Sequence, residues 1–458
     1  MRTCRMLNGA STRPFLTEIC WKNMTAFTSS ATQIWDVPEN YRLATVPQSV
    51  ELGGRVLNMD NRIRWADVFP TIHTFSNLRS LIITNIEFPL HDLFVYLEQL
   101  PVLSLLSLVS IQRDGWTSSS RDPQLSSYSD SLRELIVQHM PMSEAPFLGD
   151  SGFMQITSLL SRPGLTKAEL SMDTFVDVLN VFDETGLSFS ESLVYLEVKA
   201  PTFQVLTDDE QFQEAWCTLI RDSLKRCAPV LQYLRLFTIA QPPEPPPPLH
   251  LPALIEYFGP HEMLGGLTFS SAITTIWVPS PIIPVASSSF KLATVLPFGY
   301  LQNTDLRFLS VLRWSASDTR VEDIFRFFPR LQELSLHPSF PVSKVSSLFV
   351  VFQYVYQLQA RLIRLAEQLR SMRYLRGLSI LNTSGKYRLT SDEKREILDT
   401  WRKSCKTLTY VRFDTRIKFV WELRGTWLQK EYVQGQIMLP LGKERRRYTQ
   451  AFCNEFLF

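Results

Sequence analysis

Catalysis and metal binding need reactive side chains at set spacings, and this chain spaces its reactive residues singly. Its six histidines (His73, His91, His139, His250, His261 and His337) never fall three or four residues apart, the helical spacing that aims two imidazoles at one metal. Its six cysteines (Cys4, Cys20, Cys217, Cys227, Cys405 and Cys453) form no Cys-x-x-Cys pair, so neither a zinc site nor a disulfide framework is indicated. Cys217, Cys227 and Cys405 lie in amphipathic stretches, where a buried free thiol is expected. No nucleophile elbow, His-Glu-x-x-His, Gly-x-Gly-x-x-Gly or Walker-type loop occurs. The carboxylates are numerous but unpatterned. These observations support no enzyme, cofactor, metal site or small-molecule substrate. Binding chemistry is the expectation instead.

The candidate binding residues are Tyr195, Glu197, Tyr233, Arg235, Trp277, Glu333, Tyr410 and Arg412. Tyr, Trp and Arg are the usual anchors of protein interfaces. All eight fall at the third or fifth place of one recurring phrase, Leu-x-x-Leu-x-Leu, with Ile, Val, Phe or Ala allowed at the apolar places. The phrase begins at Leu78, Leu103, Leu132, Leu165, Leu193, Leu231, Ile273, Leu306, Leu331, Leu375 and Leu408. In a strand successive side chains alternate between faces. Places one, four and six therefore enter a core, and places three, five and seven line the opposite face. Eleven such phrases at intervals of 25 to 44 residues predict an α/β leucine-rich-repeat solenoid. The expected form is an irregular, ribonuclease-inhibitor-like horseshoe of about eleven repeats, with a parallel sheet on its concave face and helices on its convex face.

Helical spacing appears at Leu90–Leu100, Asp208–Cys227, Val321–Phe328 and Thr390–Cys405, each just ahead of a phrase. Thr390 with Glu393 forms a capping-box signature. The segment Val345–Met372 reads as a longer helix, and Gln241–Pro248 (QPPEPPPP) as an extended polyproline connector. After the last phrase, Phe419–Val433 reads as a hairpin closing the array, with Trp421 and Trp427 as covering residues. Its interleaved basic and aromatic residues also match a weaker nucleic-acid signal. The expected divisions are 1–45, a repeat array over 46–415, a capping hairpin over 416–440 and a basic tail over 441–458 that includes Lys443–Arg447 (KERRR).

Lys and Arg total 47 against 45 Asp and Glu, a net charge of +2, so overall charge does not point to nucleic acid. The most apolar window, Leu348–Leu358, is short and interrupted by Gln353 and Gln357, whereas a bilayer span needs about 20 apolar residues. No apolar secretory core opens the sequence. A reduced cytoplasmic or nuclear setting is expected.

The N-terminal segment departs from the repeat. Cys20-Trp21-Lys22-Asn23, a Ser/Thr-rich stretch and Gln33-Ile34-Trp35 resemble the back half of an F-box, although the Leu-Pro-x-Glu opening of that motif is absent. Placed ahead of irregular repeats, this resembles the F-box and leucine-rich-repeat proteins abundant in fungi. The resemblance implies a partial F-box-like helical segment in which Cys20, Trp21, Ile34 and Trp35 contact a Skp-type adaptor bound to a cullin. The repeats would then recruit a protein client for ubiquitination. The other reading is that Trp21 and Trp35 cover the end of the array and that the protein is a scaffold or inhibitor with no ligase connection. The two-face register makes a direct prediction. Leu234→Asp should unfold the protein, costing roughly 4 kcal/mol or more, while Arg235→Ala, one residue along, should leave it folded. Urea denaturation of both variants checks the register.

Overall fold

The computed structural model describes residues 17–30, 43–53, 63–86, 92–110, 131–138, 151–171, 188–199, 222–237, 249–259, 267–269, 272–278, 305–315, 324, 327–339, 362–380, 389–413, 417–421 and 427–431. Ile34, Trp35, the polyproline stretch and the basic tail lie outside them. The chain is α/β and divides into two compact units, Met1–Leu254 and Ile255–Phe458.

In the first unit eight strands run in chain order, every neighbouring pair parallel: β1 (Glu18–Trp21), β2 (Ser49–Gly53), β3 (Ser80–Thr84), β4 (Leu105–Val109), β5 (Glu134–Gln138), β6 (Lys167–Ser171), β7 (Tyr195–Lys199) and β8 (Tyr233–Phe237). The second unit holds β9 (Glu256–Phe258), β10 (Thr275–Val278), β11 (Phe308–Ser315), β12 (Glu333–Ser339), β13 (Gly377–Ile380) and β14 (Tyr410–Arg412), also parallel. An antiparallel pair follows, β15 (Ile417–Trp421) on β14 and β16 (Trp427–Glu431) on β15.

The phrase explains the burial. Leu231, Leu234 and Leu236 are each fully buried, and so are Leu193, Leu196 and Val198 one strand earlier. Each such side chain contributes about 2 kcal/mol by leaving water. The residue three places before the phrase is also buried, as with Phe75, Leu100, Phe328, Met372 and Cys405. It opens a tight turn that aims the strand. In Leu100-Pro101-Val102-Leu103 the Leu103 N–H donates to the Leu100 carbonyl at 3.1 Å, and Phe328-Pro329-Arg330-Leu331 repeats this at 3.1 Å. Proline suits the second place of such a turn because its φ is preset. Arg162-Pro163-Gly164-Leu165 puts Gly164 at φ +92, the left-handed conformation a type II turn needs after proline.

Among the fourteen parallel strands described, three carry no full phrase. Glu18–Trp21 alternates exposed and buried residues and pairs with β2, so the strand pattern begins well before residue 46. Of the described part of 1–45, only α1 (Met24–Ser30) and a short turn over 43–45 are helical. Residues 18–21 are extended because their period-two burial meets a ready parallel partner in β2. Strand β2 has Pro47 in place of the first Leu but lies within Val46–Leu57, whose sequence reads as strand-like, and β9 has Gly259 at the sixth place, which hid it.

Five helices are described in full: α1, then α2 (Trp65–Ile72), α3 (Leu93–Glu98), α4 (Ser151–Leu160) and α5 (Ser391–Ser404). The starts of α3 and α5 are satisfied by specific side chains. Buried Gln155 on α4 accepts from the Phe94 N–H at 2.8 Å, one of the amides that a helix start leaves without an internal partner. On α5 the Thr390 capping box is formed, with the Glu393 N–H donating to Thr390 Oγ1 and the Thr390 N–H donating to Glu393 Oε2 at 2.7 Å. Fully buried Trp401 donates to the Leu362 carbonyl at 2.6 Å, tying α5 to the helical residues 362–369. No helix among the described residues is long and apolar enough to cross a membrane.

Gly53 ends β2 at φ +86, and a Cβ there would lie 1.9 Å from the Thr84 carbonyl oxygen. Gly53→Ala is expected to destabilise the protein by about 2 kcal/mol or more, because both the dihedral and the β2–β3 contact oppose a side chain. A lowered urea midpoint with an unchanged slope would bear this out.

Candidate functional site

The third, fifth and seventh places of neighbouring phrases form rows across the sheet, because the strands pair third place to third place. In the first unit Glu134, Lys167, Tyr195 and Tyr233 make one row, while Glu169, Glu197 and Arg235 make the next. Adjacent strands lie about 4.8 Å apart, so side chains in a row must touch or interdigitate. Tyr195, Glu197, Tyr233 and Arg235, predicted from sequence, are therefore brought together. Their partners Lys167, Glu169, Glu134, Gln138 and Lys199 were not singled out.

The centre of this patch is a pair of buried carboxylates. Glu169 is 2% exposed and Glu197 3%. Lys167 Nζ bridges Glu169 Oε1 at 3.1 Å and Glu134 Oε2 at 3.3 Å, and Gln138 donates to Glu169 Oε2 at 3.1 Å. Lys199 Nζ lies 3.4 Å from Glu197 Oε1, and Arg235 Nη1 lies 3.7 Å from Glu197 Oε2. The Tyr195 hydroxyl donates to Glu197 Oε2 at 2.5 Å. Lys167 and Arg235 sit against the Tyr195 ring at 5.5 and 5.7 Å from its centroid, and Tyr233 lies beside it at 6.1 Å.

Glu197 lies beneath the surface of the patch. Longer neighbours cover it, and it holds Tyr195, Lys199 and Arg235 in place. Arg235→Ala is consequently less innocent than its place in the phrase implies, since it leaves a buried carboxylate with one cation fewer.

Desolvation pushes the Glu169 carboxyl above its ordinary range; the neighbouring Glu197 charge raises it further, and Lys167 offsets part of both. The Tyr195 hydroxyl is raised by burial first and by Glu197 second, so it stays a hydrogen-bond donor.

In the second unit Trp277 is sandwiched across the strands, 4.4 Å from the Phe308 ring and 6.5 Å from Phe258. Phe258 and Phe308 are buried although they lie on the face opposite the core. Phe258 was missed with its strand. Glu333 is half-buried on β12, in register with Phe308 and Gly377. Tyr410 is half-buried because its ring occupies the space a Cβ on Gly377 would need, and Arg412 is half-buried two residues along. Glycine on a strand is commonly covered by a cross-strand aromatic. The eight predicted residues thus fall into two groups of four, one in each unit.

The N-terminal pair is split. Trp21 is 2% exposed and meets Phe27 edge-on at 5.0 Å, while Cys20 points to the other face and is exposed. The Cys20 thiol is raised, by partial desolvation first and by Glu51 on the paired strand second. At the C-terminal end Trp421 and Trp427 pair directly, rings 5.1 Å apart, and the Arg402 guanidinium lies 4.7 Å from the Trp421 centroid. That Arg–Trp contact is internal to the chain. Arg402 also donates to the Leu408 carbonyl at 2.7 Å and to the Lys406 carbonyl.

Among the described residues no group of three or more His, Cys, Asp or Glu is placed to hold a metal ion. No protein-family model matches the chain, and no curated protein matches it.

The raised Glu169 group makes a pH prediction. A carboxyl with a raised folded-state value binds more protons folded than unfolded, so stability falls as pH rises from about the unfolded value of 4.5 through the folded one. Glu169→Gln should flatten that decline and leave the protein at least as stable as the parent at neutral pH. Urea midpoints across this pH range for both proteins give the comparison.

Proposed function

We propose that this chain is a non-enzymatic leucine-rich-repeat protein that holds a protein client on the sheet face opposite its core. The observation that supports this reading best is the array of Tyr195, Tyr233, Lys167 and Arg235 over two buried carboxylates. Aromatic and guanidinium groups held rigid by ion pairs lose little entropy when a partner arrives. The irregular repeat intervals and parallel strands agree with a horseshoe of the ribonuclease-inhibitor type.

In the fuller form of the proposal the protein is the substrate-recognition subunit of a cullin-RING ubiquitin ligase. An F-box-like N-terminal element would dock a Skp-type adaptor while the repeats present the client. Support for it is the resemblance carried by Cys20, Trp21, Ile34 and Trp35. A second reading, a repeat scaffold or inhibitor without a ligase link, is favoured by the burial of Trp21 in the sheet core, which leaves that ring to structure rather than to an adaptor.

Adaptor binding by the full chain separates the two. The ligase reading expects a complex with the purified Skp-type adaptor that is lost in an Ile34→Ala/Trp35→Ala variant of unchanged stability. Absence of any complex with the full chain would discard the ligase reading and leave the scaffold.

A further inference from the structure

We propose that the edge of the second unit where its strands begin binds an acidic polypeptide segment. The turns ahead of β11 to β14 stack along this edge, and its register is set by backbone bonds. The Gln332 N–H donates to the Arg307 carbonyl at 2.8 Å, that of Arg376 to Gln332 at 2.7 Å, and that of Thr409 to Arg376 at 2.8 Å. Successive turns are therefore about 4.8 Å apart. They carry Arg307, Arg330, Arg373, Arg376 and Lys406, all exposed. A chain of net charge +2 thus concentrates five cations on one narrow strip.

The strip already shows which group it accepts. Asp305, just before the β11 phrase, receives Arg307 Nη2 at 3.0 Å and Arg330 Nη1 at 3.3 Å, and these guanidinium groups, Arg307 first, hold its carboxyl below the usual range. At the three following turns the place of Asp305 is taken by Arg330, Tyr374 and Thr407, and Arg373, Arg376 and Lys406 have no acidic partner among the described residues. Guanidinium groups match carboxylates with paired hydrogen bonds. An extended acidic segment laid along the turns would continue the arrangement that Asp305 begins, with Tyr374, 56% exposed, offering an apolar contact beside it. The proposal rests on the protein-binding reading only in taking the partner to be a polypeptide.

Fluorescence anisotropy of the full chain with a labelled peptide of alternating Glu and Gly tests it, with a labelled oligothymidylate as the competing polyanion. Peptide binding that weakens with added salt is expected. It should fall about tenfold or more in Arg373→Ala/Arg376→Ala/Lys406→Ala, as three exposed ion pairs together supply, and stay unchanged in Trp277→Ala. Should the triple variant fail to fold, Arg373→Glu alone at an exposed turn position must still weaken binding. No peptide binding, or equal binding by the edge variants, overturns the proposal. Tighter binding of the oligonucleotide than of the peptide overturns the choice of a polypeptide. Loss of peptide binding in Trp277→Ala alone would move the site to the sheet face, sinking the edge while leaving client binding intact.

Discussion

One backbone acceptor governs the rest of this structure. At the second place of each phrase the carbonyl receives two N–H donors from the next strand. The Arg79 oxygen takes the amides of Ser104 and Leu105, and the Val194 oxygen takes those of Gln232 and Tyr233. The same pattern runs from Thr17 through β8 and again from Ile255 to Tyr410. A carbonyl has two lone pairs, so the arrangement satisfies both amides where each strand begins. Ser104, Thr166 and Thr409 add their hydroxyls to the carbonyls they follow. Phase is locked there. A slip of one residue would turn every core leucine to the other face.

The charge cluster depends on that lock. Glu169, Glu197 and Arg235 are in register only because Lys167 meets Tyr195 and Tyr195 meets Tyr233 at the strand starts. Two buried carboxylates side by side are costly, and the cost is offset by Lys167, Lys199, Arg235, Gln138 and the Tyr195 hydroxyl. The result is a surface whose outer groups are fixed from beneath. Interfaces gain from such rigidity, because side chains already ordered lose less freedom on binding.

The second unit solves the same packing problem differently. Its outward rows use Phe258, Trp277 and Phe308 at one end, then Ser310, Ser335 and Ser379 with Gly377, and close with Tyr410 lying over the glycine. Large and small residues complement one another across strands, where the first unit pairs opposite charges. An antiparallel hairpin follows β14, and its Trp421–Trp427 pair is braced by Arg402 from α5.

The phrase itself carried the alternation of faces. Leu234 against Arg235 was legible from spacing alone, because burial with period two needs no knowledge of neighbours. The capping box at Thr390 was equally local. Strand β2 was legible as an extended stretch over Val46–Leu57 but not as a phrase, while β1 and β9 were not legible, since Gly259 interrupts the pattern and Trp21 resembled part of another motif. What only the tertiary structure decided is adjacency. Glu169 and Glu197 are separated by 28 residues and Glu197 and Arg235 by 38, and no local signal says that they share a row. Strand order and register bring them within ion-pair reach, and that proximity makes Glu197 and Glu169 a buried support for Tyr195 and Arg235.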